Sequence, residues 1–369
     1  MKIGIDIRAA IEEPAGIGKV VGNMTRELLA LDAGNNYVLY ANAPFEPPAG
    51  NPRVRVAVVN LARVPGGRLL WHVVTTLRAK YIDRVDRFIS VGSLQTAAMT
   101  RGFVVLVVAD LTNVLFPEWH VGKPKLTGRL FLRRALRNAR HVVAISESTR
   151  KDILQYAEIP EGKVSVAWIG CEEEFLRPVA PEMVSQVREK YDLGKYILSV
   201  GTIEPRKNYP ALIEAFAGVA QEAKGVDLVI AGRKGWKWQE TFDIAGRSGV
   251  ARRIRFLDYV PPEDLPALYA GAEIFVYPSF YEGFGIPPLE AMAVGVPVIT
   301  SNTSSLPEVV GDAAIQVGPA DMAALRENIM KLLGDAELRG KLSRAGRAQA
   351  AKFSWQSFGR KILEITMSQ

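Results

Sequence analysis

Cysteine occurs once in this chain, as Cys171, so no disulfide can form within it. That usage fits a reducing cytoplasm. Histidine is almost as scarce. The three residues, His72, His120 and His141, are widely spaced and belong to no HExxH pattern, and a lone cysteine allows no CxxC. No metal site is expected, and each histidine reads as structural. Long apolar runs are missing too, since the longest, 103–109, falls far short of the roughly 20 residues that a membrane-spanning helix requires. The N-terminus, Met1-Lys-Ile-Gly-Ile-Asp-Ile-Arg8, alternates in polarity and reads as a first strand, not a signal peptide. Repeats and low-complexity segments are also lacking.

What is present is enough apolar residue for two cores. With 369 residues, 48% of them hydrophobic, the chain is long for one ordinary core and divides naturally into two domains of about 150–200 residues. Strand-like runs alternate with helical patterns from end to end, which argues an α/β class with parallel sheets. Val20, Val21, Met24, Leu28 and Leu31 recur at helical spacing, so a helix is expected over about 18–31. Strands are expected at 103–108, 196–200, 226–231, 254–257, 274–277 and 297–300. The stretch 177–190 reads as the joint between domains. Asp110 follows the buried run 103–108, at a carboxyl end where open α/β sheets place ligands.

One segment carries a charge equal to the whole net +7. Residues 121–146 hold seven basic side chains, Lys123, Lys125, Arg129, Arg133, Arg134, Arg137 and Arg140, and no acidic one. An amphipathic helix is expected over about 124–138, with Lys125, Arg129, Arg133 and Arg137 spaced by four and Arg134 beside them. A solvated surface helix accounts for such a row, and so does an anionic membrane or acceptor surface. Nucleic acid is not expected as a partner, because the aromatics of a single-strand platform are absent there.

The densest chemistry lies in Glu282-Gly-Phe-Gly-Ile-Pro-Pro-Leu-Glu290. A strand-like run leads into it, Gly283 and Gly285 allow close backbone approach to a ligand, and Pro287 and Pro288 suit the first turn of a helix. Glu290 is expected in that first turn, where a lone glutamate would only offset the helix dipole. Open N–H groups at the helix start favour a diphosphate, leaving Glu282 and Glu290 free to accept hydrogen bonds from hydroxyls. Earlier, Arg206 and Lys207 follow the 196–200 strand by a short loop, and Asn208 is placed to cap the helix that Pro210 opens. A cationic pair beside a helix start is a phosphate site.

These segments resemble retaining GT-B glycosyltransferases, specifically glycosyltransferase family 4. The 282–290 run, continued by Ala291-Met-Ala-Val-Gly-Val-Pro-Val298, is similar to the family's Glu-x7-Glu signature. Gly201-Thr-Ile-Glu-Pro-Arg-Lys-Asn208 resembles its donor-phosphate segment, Val142-Val-Ala-Ile-Ser-Glu-Ser-Thr149 its late first-domain turn, and Gly16-Ile-Gly18 its first glycine loop. The resemblance implies two Rossmann-like, doubly wound domains facing a cleft. An N-terminal acceptor domain would span 1–176, a nucleotide-sugar domain 177–352, and a helix over 353–369 would return to the first domain. It implies catalysis by Glu282, Arg206, Lys207 and Asp110 without metal or cofactor. Donor contacts would come from Gly16, Gly18, Gly201, Thr202, Arg206, Lys207, Val260, Glu282, Gly283, Phe284, Gly285, Leu289 and Glu290, with Glu282 on the sugar and Glu290 on the ribose.

The overall pattern looks most like the mannosyltransferases of surface-polysaccharide assembly. GDP-mannose is then the first donor expected, UDP-sugars the alternative, and a lipid-linked or polysaccharide glycan the acceptor. A cytoplasmic protein, peripheral at the inner face of the plasma membrane, is the matching location. One departure stands out, because many relatives carry His-Asp where this chain has Ala109-Asp110. A silent sugar-nucleotide binder is the alternative that this loss motivates. A GT-B phosphorylase would need a lysine for pyridoxal phosphate, and no such motif is evident.

Overall fold

The computed structural model describes residues 1–12, 16–46, 51–61, 63–120 and 126–368. The chain forms two compact units. The first comprises Met1–Leu115, Pro124–Gly170 and Ser354–Gln369, and the second Phe116–Lys123 and Cys171–Phe353.

In the first unit the strands are β1 (Lys2–Asp6), β2 (Asn36–Ala41), β3 (Val54–Val58), β4 (Arg87–Val91), β5 (Val104–Val108), β6 (His141–Ala144) and β7 (Val164–Val166). They form one seven-stranded sheet in the order β3-β2-β1-β4-β5-β6-β7, and every pairing is parallel. All five residues of β5 are buried. Helices cover both faces of such a sheet, so its central strands read as unbroken apolar runs. The expected helix near the start is present as Ile17–Leu31.

The second unit carries β8 (Lys195–Val200), β9 (Val226–Ala231), β10 (Ile254–Asp258), β11 (Ile274–Tyr277), β12 (Val298–Ser301) and β13 (Ile315–Val317). Its order, β10-β9-β8-β11-β12-β13, is again wholly parallel. Both sheets are therefore doubly wound, with the order reversing between β1 and β4 and between β8 and β11. Loops leaving the carboxyl ends of adjacent strands diverge at such a point and open a crevice for ligands.

The division falls between Gly170 and Cys171, earlier than the boundary expected after 176, because the short helix Glu173–Leu176 packs into the second unit. Phe175 is fully buried there, edge-on to the Tyr269 ring at 5.8 Å. Phe116–Lys123 also goes with the second unit, since Phe116 stacks on Trp119 at 4.2 Å and these rings lie against Tyr281 and Phe280. The terminal helix, Trp355–Met367, belongs to the first unit and packs on the Ile17–Leu31 helix. It buries Trp355, Phe358, Ile362 and Ile365, each worth about 1.5–3 kcal/mol of gross stabilisation. Gly359 permits the close approach, because a Cβ there would lie 2.6 Å from Glu27 Cβ.

Candidate active site

The loops after β8 and β11, at the switch point of the second sheet, are tied together by one carboxylate. Glu282 is buried and accepts hydrogen bonds from Arg206 Nη1 at 2.6 Å, Lys207 Nζ at 2.7 Å, Ser279 Oγ at 2.7 Å and the Tyr277 hydroxyl at 2.9 Å. Arg206 also grips the buried Glu204, with Nη2 2.7 Å from Oε1, and donates to the Tyr281 carbonyl at 3.2 Å. The Arg206 carbonyl in turn accepts from Phe280 N at 2.9 Å. Lys207 lies over the Tyr277 ring, 4.9 Å from its centroid, and bonds its hydroxyl as well.

Two cations thus face two carboxylates in a site largely shut off from water. Burial pushes the Glu282 carboxyl up, but the adjacent Arg206 and Lys207 charges outweigh it and hold the group at about 2. Burial and the Arg206 charge draw Lys207 below the ordinary lysine range, while Glu282 and Glu204 oppose them. The expectation that Glu282 and Glu290 stand free for hydroxyls is corrected here. Glu282 already accepts from four protein groups, three on Oε1 and one on Oε2, and Glu290 accepts from the Tyr269 hydroxyl at 2.9 Å.

The helix after the turn spans Ile286–Val294, so Glu290 is its fifth residue and lies beyond the first turn, contrary to expectation. Gly285 precedes the helix at φ 111°, a backbone shape that favours glycine, and a Cβ there would meet Leu306 Cδ2 at 2.8 Å. Pro287 and Pro288 have no N–H. The donors at this helix start are therefore reduced to Phe284, Gly285 and Ile286. Ser305 braces the turn with its hydroxyl within hydrogen-bond distance of the Glu282 and Phe284 carbonyls, at 2.9 and 2.7 Å, and Glu282 N donates to Ser304 Oγ at 2.9 Å.

Other expected site residues divide by surroundings. Gly201 and Thr202 lie in the loop after β8, and Gly283 lies in the turn itself. Val260, Phe284 and Leu289 have buried side chains; Phe284 meets the Phe353 ring edge-on at 5.6 Å, so its side chain serves the core. Asn208 occupies the capping position of the Tyr209–Glu222 helix without capping it. Its side-chain amide instead donates to the Pro278 and Pro319 carbonyls at 3.1 and 2.7 Å.

In the first unit, Gly16 precedes the Ile17–Leu31 helix at φ 56°, and Gly18 is buried within it. Asp110 follows β5 and accepts from Thr112 N at 3.0 Å and Thr112 Oγ1 at 2.7 Å, closing a local turn. The histidines have structural partners. His72 is held at about 3, mainly by burial, with Nδ1 3.2 Å from Ser93 Oγ; His141 lies 2.8 Å from Ser165 Oγ; and His120 stacks on Trp236.

The expected basic helix is present as Leu126–Asn138, while Lys123 and Lys125 lie outside the described residues. Its arginines are partly engaged. Arg133 and Arg137 donate from Nε to the Tyr156 and Ala157 carbonyls, at the C-terminal end of the Glu147–Ala157 helix. Arg134 donates to the Ala98 carbonyl near the end of Leu94–Met99. Such positions suit cations because a helix's C-terminal carbonyls carry partial negative charge. Arg129 is exposed.

Sequence reading missed Glu204, Tyr277, Ser279 and Ser305. The polar run Asn302-Thr-Ser-Ser305 after β12 was the signal available for the last of these.

Two doubly wound parallel units, with a cation–carboxylate cluster at a switch point and the last helix returned to the first unit, make up the GT-B fold. Solved structures agree on the architecture. Sucrose-phosphate synthase from Thermosynechococcus elongatus superposes with a TM-score of 0.77 at 19% identity, covering 99% of this chain and 98% of that one. HepE from Anabaena, solved in complex with UDP and glucose, gives 0.77 at 20% identity and covers both chains completely. Residues 183–349 match the family described as glycosyl transferases group 1. That segment is a group 1 glycosyltransferase domain. O-antigen chain mannosyltransferase B of Escherichia coli is 38% identical over 254 residues, which cover 67% of this chain and 66% of that protein. The serotype-specific mannosyltransferase WbdA of Escherichia coli is 33% identical over 268 residues, 70% of this chain but 33% of the relative's length.

Proposed function

We propose that the chain transfers a hexose, with retention of anomeric configuration, from a nucleoside-diphosphate sugar to a hydroxyl of a lipid-linked or polysaccharide glycan. GDP-mannose is the donor favoured, in view of the two mannosyltransferase relatives. The observation that carries the reading is the Arg206–Glu282–Lys207 cluster at the β8/β11 switch point, inside the matched family segment. Glu204 and Glu282 hold both cations in fixed geometry. A donor diphosphate then meets charges that need little reorganisation as negative charge grows on the leaving group, which is the main economy of electrostatic catalysis. The N–H groups of Phe284, Gly285 and Ile286 add donors at the helix start. Glu290 takes the ribose hydroxyls and Glu282 the transferred sugar. The work would be done in the cytoplasm.

The test is transfer from GDP-mannose and from UDP-glucose to a mannose-terminated acceptor, with the product's anomeric carbon read by NMR. Transfer from GDP-mannose with an α-linked product supports the proposal. Release of free mannose at the same rate with and without acceptor, and no product, would contradict it.

A further inference from the structure

The charge run lies on the Leu126–Asn138 helix, but apolar exposure marks a different one. The Gly67–Leu77 helix continues through a wider turn at Arg78–Ile82, and most of its described outward residues are apolar. Leu69 is 64% exposed, Leu77 51%, Tyr81 66% and Ile82 74%, with Leu70 also exposed and Val73 half-buried. Positions 69, 70, 73, 77 and 81 recur at three- and four-residue steps, so they form one stripe on the solvent side. The inward residues Trp71, His72, Thr75, Thr76 and Ala79 are buried. This helix is therefore apolar on the face where an ordinary surface helix is polar, and contiguous patches of that kind mark interaction sites.

Charge identifies the occupant. Residues 47–82 contain no acidic side chain but six basic ones, Arg53, Arg55, Arg63, Arg68, Arg78 and Lys80. The next carboxylate, Asp83, is already taken by Arg55, Arg78 and the Tyr40 hydroxyl. Lys80 and Arg84 are exposed beside the stripe. A second copy docking on this face about a twofold axis would bring cations against cations. An anionic bilayer offers hydrocarbon to the stripe and negative headgroups to its flanks, the pairing that holds interfacial helices. Among the described residues no helix is long and apolar enough to cross a membrane, so the contact would be superficial. We propose that the outward face of 67–82 docks the first unit on an anionic lipid surface. This stands apart from the transfer reaction, because none of these residues belongs to the Arg206–Glu282 site.

Flotation of the full chain with phosphatidylcholine vesicles, with and without phosphatidylglycerol, provides the test. Wild type should float with the anionic vesicles, and less so at high salt. Leu69→Glu with Leu77→Glu should lower the partition coefficient by about a hundredfold, with the far-UV spectrum unchanged. Tyr81→Glu with Ile82→Glu is the second variant, should the first fail to fold, and should act alike. Equal flotation of wild type and a folded variant would overturn the proposal. So would absence of wild-type flotation at low salt, including the case where sedimentation velocity shows a dimer that the same substitutions dissolve.

Discussion

Arg206 donates from Nη1 to Oε2 of Glu282 at 2.6 Å, joining the loop after β8 to the loop after β11 across 76 residues of sequence. The same carboxylate takes Lys207 on its other oxygen, so one side chain fixes both cations.

Removing the two cations should have unequal consequences. Lys207 is buried, and Lys207→Ala leaves the Glu282 carboxylate short of a partner, which should cost about 3–5 kcal/mol in urea unfolding. Arg206 retains 18% side-chain exposure, so water can replace part of what Arg206→Ala removes. That variant should lose less stability than Lys207→Ala while still losing turnover. Equal stability losses would show that Lys207 is not the buried member of the cluster.

Acidification should act through Glu282. Its folded value of about 2 lies below the ordinary 4.5, so the folded state binds this proton more weakly than the unfolded chain does. The resulting stabilisation is complete above 4.5 and is lost as pH falls from there towards 2. Glu282→Gln should flatten that part of the stability curve, as measured by urea midpoints. An unchanged slope in the variant would assign the acid sensitivity to other groups.

The two motif glutamates should separate in calorimetry. Glu290→Ala should weaken binding of free GDP by about 1.5–3 kcal/mol, the range for hydrogen bonds to a charged group. Glu282→Ala should lower transfer more than it lowers GDP affinity, provided that its fold is kept. If Glu282→Ala removes most of the nucleotide affinity instead, the roles are exchanged.

Position 109 offers a gain-of-function check. Ala109 is half-buried after β5, and its carbonyl accepts from Thr149 Oγ1 at 3.0 Å, a bond that a change of side chain leaves available. Ala109→His should keep or raise transfer. Abolished transfer in a folded variant would mean that transfer does not tolerate a side chain of this size at position 109.

Much of this was legible in sequence because it is local. Continuous apolar runs such as 104–108 announced parallel strands, and Gly-Phe-Gly-Ile-Pro-Pro announced a turn into a helix. The start of that helix misled by a residue or two, because prolines are tolerated throughout a first turn and cannot say which of them opens it. Closure of the site was not legible. Glu204 looks like any loop glutamate, Tyr277 like any strand residue, and their meeting with Arg206 and Glu282 depends on β8 lying beside β11. The 67–82 stripe was hidden for a related reason: helical periodicity gives the spacing of apolar residues but does not say which side is covered.

The central claim is that Arg206, anchored on Glu282, receives the donor diphosphate without a metal ion. Calorimetric titration of GDP in excess EDTA against wild type and Arg206→Ala tests it most directly. Wild type should bind in chelator, and Arg206→Ala should lose affinity by about 1.5–3 kcal/mol, as expected for charge-assisted hydrogen bonds. Equal affinities in the two proteins, or wild-type binding that disappears in EDTA and returns with magnesium, would contradict the account.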